Sequence, residues 1–349
     1  GSGVQGVFWS LASQATDHLA WAETAHAFGY VRESMPLVAE LVKRDSVPIG
    51  DLEILGRSDS GFQVLLQTII EHSSNPITVK WCLDRTSAIH IKSLDRATIW
   101  RSNALTREAL FAHPDADIRG FCAAVWSASP SLDVQDDCWR EAILNYGFWD
   151  KECADSFYNV ALENIFLADV ELFTQLFRFH LDASPQNHII DLRPWACAMD
   201  SATPELRSQV WCHIANAPNA CDAFWAVAGD DIAWAKSEIS APHFDLTASN
   251  LLRAYELTSD LSYDLVDLAE VMRPLRPDPF ELVGSIESGV FTGPESEVLK
   301  QRLHTLRRLS ASGDPYLSEI GRAGIARYEP RLSRVRKRER EAKVRGQLA

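Results

Sequence analysis

Ile118, Phe121, Cys122 and Val125 recur at i, i+3, i+4 and i+7, the spacing that puts apolar side chains along one side of a helix. Ahead of them stands His113-Pro114-Asp115-Ala116-Asp117. Proline suits the first helical position, where an N–H has no partner to lose, and acids in the first turn meet the positive end of the helix dipole. The pattern predicts a turn feeding a helix. It returns along the chain. Val7, Phe8, Leu11, Leu19, Ala22, Ala25 and Phe28 keep helical spacing up to Gly29, and further helices are expected over Leu37–Lys43, Thr78–Leu83, Leu206–Ile214 and Tyr316–Arg327. Period-two alternation is scarce, with Ile89–Ile91 and His188–Leu192 as its only short echoes.

Prolines punctuate this rhythm. Pro36, Pro76 and Pro114, then Pro204, Pro242, Pro279 and Pro315, stand roughly 36–40 residues apart, with one gap of about 90 that can hold a unit near Trp149-Asp150. Each proline is expected to open a helix, with a second helix before the next. Self-similarity at such a period marks an array of stacked units.

Pro114, Asp117-Ile118-Arg119 and Ala123-Ala124, with a weaker echo in Pro204-Glu205-Leu206-Arg207 and Val210, resemble the HEAT and armadillo-like repeat families. Pro76 is followed instead by Thr78-Val79-Lys80, and Pro242, Pro279 and Pro315 lack the acid–aliphatic–Arg triplet. The resemblance implies an all-α, HEAT-like right-handed superhelix of about seven to eight helix pairs. In it, an arginine of the second helix ties neighbouring turns together. Residues 1–3 read as a tag remnant, 4–330 as one solenoid and 331–349 as a basic C-terminal helix or tail. Such arrays bind proteins along a concave face and form scaffold or sensor regions of larger proteins, bacterial antiphage defence proteins among them. That non-catalytic role is the expectation here.

Composition adds bounds. Hydrophobic residues make up 46% and charged residues 23%, the balance of a soluble folded chain, and no run reaches the roughly 18 apolar residues of a membrane span. Seven cysteines, none in a C-x-x-C pair, several beside tryptophan, read as free core thiols in a reducing cytoplasm. The net charge is −14, yet residues 331–349 carry eight basic residues against Glu339 and Glu341, which leaves −20 on the other 330 residues. So acidic a body is a poor match for nucleic acid. It suits a protein partner with a basic surface.

Eleven tryptophans stand in the chain; Trp139, Trp149, Trp195 and Trp225, near expected helix ends or loops, are the candidate interface anchors. The sharpest chemical patterns are Asp136-Asp137 with Glu141, Asp230-Asp231 with Glu238, and Arg327-Tyr328. Together they resemble the two Mg²⁺ motifs and the C-terminal Arg-Tyr pair of class I terpene synthases. That enzyme is the alternative reading, although Trp234 stands where the family has a Ser or Thr ligand and Asp230 replaces its Asn. No H-E-x-x-H, Walker or dinucleotide fingerprint is present, so no metal or cofactor is expected. Gly56–Gly61 lacks nucleophile-elbow spacing and reads as a loop. In the basic segment, Arg334, Arg336, Lys337, Arg338 and Arg340 read as a solvated terminal helix, or as a tail that docks nucleic acid.

Overall fold

The computed structural model describes residues 17–43, 47–130, 132–133, 135–145, 157–183, 192–257, 264–285 and 295–344. It is all-helical, with no strand among those residues. The chain divides into two compact units, Gly1–Leu176 and Phe177–Ala349, where the sequence pattern suggested one run over 4–330. No helix among the described residues is long and apolar enough to cross a membrane.

The first unit carries α1 (His18–Ala27), α2 (Met35–Val42), α3 (Ile49–Leu55), α4 (Asp59–His72), α5 (Pro76–Leu83), α6 (Ala88–Lys92), α7 (Arg96–Trp100), α8 (Ala104–Phe111), α9 (Ala116–Ser127), α10 (Asp137–Asn145) and α11 (Phe157–Ala168). The division between units falls inside α12 (Val170–Ala183). The second unit continues with α13 (Arg193–Ala198), α14 (Pro204–Ile214), α15 (Ala220–Ala228), α16 (Ile232–Ile239), α17 (Ala248–Leu257), α18 (Leu265–Met272), α19 (Pro279–Ser285), α20 (Glu295–Ser310) and α21 (Pro315–Val344).

The helix starts follow from capping chemistry. Asn75 Oδ1 accepts the N–H groups of Ile77 and Thr78 ahead of α5, and Asp314 Oδ1 accepts those of Tyr316 and Leu317 ahead of α21. These bonds satisfy donors that a helix leaves open at its first turn. Pro36, Pro76, Pro204, Pro279 and Pro315 sit in first turns as expected. Pro114 and Pro242 instead lie in the turns before α9 and α17. Asp115, not Pro114, marks the start of α9, accepting the Asp117 N–H at 2.8 Å. The expected loop at 56–61 is instead a helix start: Ser58 Oγ caps α4 by accepting the Gly61 N–H. The Ile89–Ile91 segment is helical, and most of His188–Leu192 lies outside the described residues.

α9 is the hub of the first unit. It packs against α6, α7, α8, α10 and α11, so residues 122–129 are buried on every side rather than along one stripe, while Phe121 stays half-buried. In the second unit packing alternates. The odd-numbered helices α13, α15, α17, α19 and α21 each pack on the next odd one, and α14, α16 and α18 do the same in their own row. Helices thus meet neighbours two positions along the chain more than distant ones.

A polar thread accompanies that order. Asp136 Oδ1 caps α10 through the Trp139 N–H, while its Oδ2 accepts from Arg107 Nε of α8 at 3.2 Å. Asp169 repeats the arrangement, capping α12 through the Leu172 N–H and accepting from Arg140 of α10 at 2.7 Å. Asp231 caps α16 through the Trp234 N–H and lies 3.9 Å from Arg207 of α14. Arg273, which follows α18, donates to Asp314 Oδ2, whose other oxygen caps α21. One carboxylate therefore serves two helices at each junction.

Candidate binding surface

The second unit ends in an antiparallel pair, α20 and α21, joined at its closed end by small residues. A Cβ on Gly321 would stand 2.2 Å from the Ser310 nitrogen and 2.7 Å from the Leu306 oxygen, and one on Gly324 would meet the Leu306 side chain at 2.2 Å. Only glycine allows the two backbones to come this close. Further along, Arg302 donates to the Tyr328 hydroxyl at 3.3 Å, Arg307 pairs with Glu329 at 2.8 Å and Arg331 with Glu295 at 3.0 Å. The Ser296 N–H donates to Glu339 Oε1 at 3.1 Å. Leu332 and Val335 are buried between them.

Helix α21 runs through Pro330 and past 331, so the basic segment continues a packed helix as far as Val344. Its buried stripe faces α20. Arg334, Arg336, Lys337, Arg338 and Arg340 all lie exposed. No carboxylate among the described residues pairs with any of them, whereas Arg307 and Arg331 beside them are paired. Between the helices runs an open groove of about 310 Å³. Leu303 and Arg307 line it from α20; Glu329, Leu332, Ser333, Arg336 and Arg340 line it from α21. Arg336 and Arg340 were among the basic residues legible in the sequence. Ser333 stands one turn before Arg336 on the same helix, and Arg307 joins them only through the helix pairing.

The tryptophan candidates fall differently. Trp139 and Trp225 are 0% exposed and Trp195 is 2% exposed, so these three fill the core and do not stand as surface anchors. Their indole groups have structural partners. Trp139 Nε1 donates to Ser127 Oγ at 3.0 Å, Trp225 Nε1 donates to the Leu251 carbonyl at 2.8 Å, and Trp195 stacks on Phe177 with centroids 4.6 Å apart. A large aromatic near a helix end plugs the gap between helices as readily as it protrudes. Trp149 lies outside the described residues.

The acids that resemble metal motifs also have local partners. Asp136 and Asp231 are helix caps, as above. Glu238 Oε1 lies 2.9 Å from His243 Nε2. Trp234 is buried, with its Nε1 donating to Ser208 Oγ at 3.0 Å, and Tyr328 is buried under α20. Among the described residues no group of three or more His, Cys, Asp or Glu side chains could hold a metal ion. What remains open to solvent in the first motif, Asp137 and Glu141, forms a patch of like charge with Glu108 of α8. The patch surrounds Cys138, whose thiol is raised above its ordinary value by burial first and by these carboxylates and Asp136 next.

The thiols elsewhere divide by burial. Burial pushes Cys82 up to about 12 and raises Cys122 further still. Cys197 and Cys212 are exposed. No family model, curated protein or solved structure matches this chain.

Proposed function

We propose that the chain is a non-catalytic binding module, a HEAT-like helical array serving as a scaffold or sensor for another protein. The observation that carries this reading is the use made of the chemically suggestive residues. The motif acids Asp136 and Asp231 cap helices and face arginines of neighbouring helices. The packing of helices in the second unit on those two positions away supports the array, because in stacked repeats every unit covers the apolar face of the next. Arg119 and Arg207 support the family likeness. Arg119 Nη1 donates back to the His113 and Pro114 carbonyls. Arg207 donates to Met199 O at 3.0 Å and to Val227 O, so it joins the ends of α13 and α15.

The Glu108, Asp137 and Glu141 patch fits a partner with a basic surface, through complementarity that sets encounter rate and selectivity. In-cell crosslinking followed by capture should recover a basic partner from the wild type and lose it with Glu108→Lys/Asp137→Lys/Glu141→Lys. Retained capture overturns this docking face. The catalytic alternative has a separate readout. Prenyl diphosphates with Mg²⁺ should yield no pyrophosphate above background, and release abolished by Asp137→Ala would overturn the non-catalytic reading.

A further inference from the structure

The exposed side of α21 combines guanidinium groups and a hydroxyl with few carboxylates, in a chain that is otherwise acidic. Glu329 is paired with Arg307, and Glu341 is the one fully exposed acid over 331–341. Arg336 and Arg340 stand one helical turn apart, about 6 Å along the axis, on the rim of the groove beside Ser333. Arg334, Lys337 and Arg338 continue the charge around the solvent side of the same two turns. Like-charged neighbours at i, i+4 destabilise a helix in isolation. No carboxylate among the described residues pairs with these five, although residues 1–330, at −20, hold carboxylates in excess.

The chemistry of the set narrows the occupant. Four of the five cations are arginine, whose planar fork matches the oxygens of a phosphate better than the point charge of lysine does. The apolar residues here, Leu332 and Val335, are turned into the helix pair, so the surface offers nothing to insert into a lipid interface. It has no aromatic on which unstacked bases could rest, as single-strand binders require. A rigid row of phosphates fits; splayed bases do not.

We infer that the α20–α21 groove and the adjoining face of α21 bind the sugar–phosphate backbone of a nucleic-acid duplex, without reading its sequence. Arg336 and Arg340 each meet a phosphate on the groove rim, Ser333 donates one turn ahead of Arg336, and Arg334, Lys337 and Arg338 meet phosphates further around the helix. Charges beyond a Debye length, about 10 Å at 0.1 M salt, are largely screened, so the distant acids of the chain do not forbid the duplex, while Glu329, Glu339 and Glu341 close by lower the net charge of this face. The inference goes beyond the scaffold reading and stands without it.

The test uses the full chain with fluorescently labelled 20-base-pair DNA and RNA duplexes, followed by anisotropy from 50 to 200 mM salt. With three to five phosphates contacted, log K should fall against log salt with a slope of about −3 to −4.5, since each contact contributes about −0.9 for DNA. Arg336→Glu/Arg340→Glu should weaken binding at 50 mM by roughly ten-fold or more and flatten the slope by about two contacts. Arg336→Gln/Arg340→Gln should shift both in the same direction by less. Arg322→Glu, on the same helix but outside the groove, should leave both unchanged. Far-UV spectra and melting curves should match the wild type, because the altered side chains are exposed. The DNA and RNA arms decide which backbone is preferred. No binding to either at 50 mM salt overturns the inference. So does an Arg336→Glu/Arg340→Glu protein that binds as the Arg322→Glu protein does. Polyglutamate of equal charge competing as well as the duplex overturns it in favour of an acidic peptide.

Discussion

Arg207 is 4% exposed, yet it carries a full charge among backbone carbonyls. Met199, at the end of α13, and Val227, in the last turn of α15, have carbonyls not used within their helices; the guanidinium donates to both, and Met199 O also accepts the Ala202 N–H. Gly229 closes α15 with φ +51, a backbone conformation that favours glycine, and a Cβ there would stand 3.5 Å from the same guanidinium. Arg207→Ala strands the buried Val227 carbonyl, leaves Met199 O to the Ala202 N–H alone, and should cost about 3 kcal/mol. The check is a lower urea midpoint at unchanged slope. Arg119 and Arg207 were legible in the sequence as members of an acid–aliphatic–Arg pattern; Arg119 holds the turn ahead of its own helix, while Arg207 joins the ends of α13 and α15. The burial of Trp139, Trp195 and Trp225 was not legible, because position near a helix end says nothing about which neighbour covers the ring. Thiol reactivity follows the same local rule. Disulfide-exchange reagents should label Cys197 and Cys212 in the native protein and reach Cys82 and Cys122 only on unfolding. Fast native labelling of Cys122 would contradict its burial.

At the scale of elements, helix starts were the most legible feature, since Asn, Asp, Ser or Thr before Pro or a charged turn states its purpose locally. Five of the seven rhythm prolines proved to stand in first turns. Pro114 and Pro242 did not, because a proline is equally content one turn earlier. The shared carboxylates were invisible, although the signal existed. Asn103 to Arg107, Asp115 to Arg119, Asp136 to Arg140 and Thr203 to Arg207 all place an arginine four residues after the cap. What the sequence could not say was that Arg107 and Arg140 reach forward about thirty residues to the next-but-one cap, since that requires the packing order. Separating the two jobs is straightforward at Asp169. Asp169→Asn keeps a capping oxygen and loses the charge, whereas Asp169→Ala loses both. The alanine variant should be less stable than the asparagine one by about 1 kcal/mol in urea titrations. Gly321→Ala attacks a different contact, forcing α20 from α21 against backbone atoms, and should destabilise by about 2 kcal/mol.

For the whole molecule, charge sets the response to pH. Arg273 holds Glu270 and Asp314 below the usual carboxylate range; at Asp169, burial pushes upward but the hydrogen bonds from Arg140 and the Leu172 N–H prevail, and the carboxyl is lowered too. Each binds fewer protons folded than unfolded. Their stabilisation is therefore present above the ordinary carboxylate value of about 4 and is lost as pH falls through the lowered folded values. Asp222, raised by burial, works in the opposite direction on its own. The net expectation is a urea midpoint that drops between pH 6 and pH 3. Asp169→Asn should flatten that drop. The boundary at 330/331 was misleading for a physical reason: charge composition changes there, but the buried positions Leu332 and Val335 continue the α21 stripe. Deleting residues from 331 onward should consequently destabilise the second unit, where loss of a solvated tail would leave it unchanged.

The double duty of the capping aspartates restricts how such a chain can change length. Arg107 reaches from α8 to α10 and Arg140 from α10 to α12. A lineage that gained or lost a single helix between such an arginine and its acid would part the two. Insertions and deletions that survive should come as whole pairs.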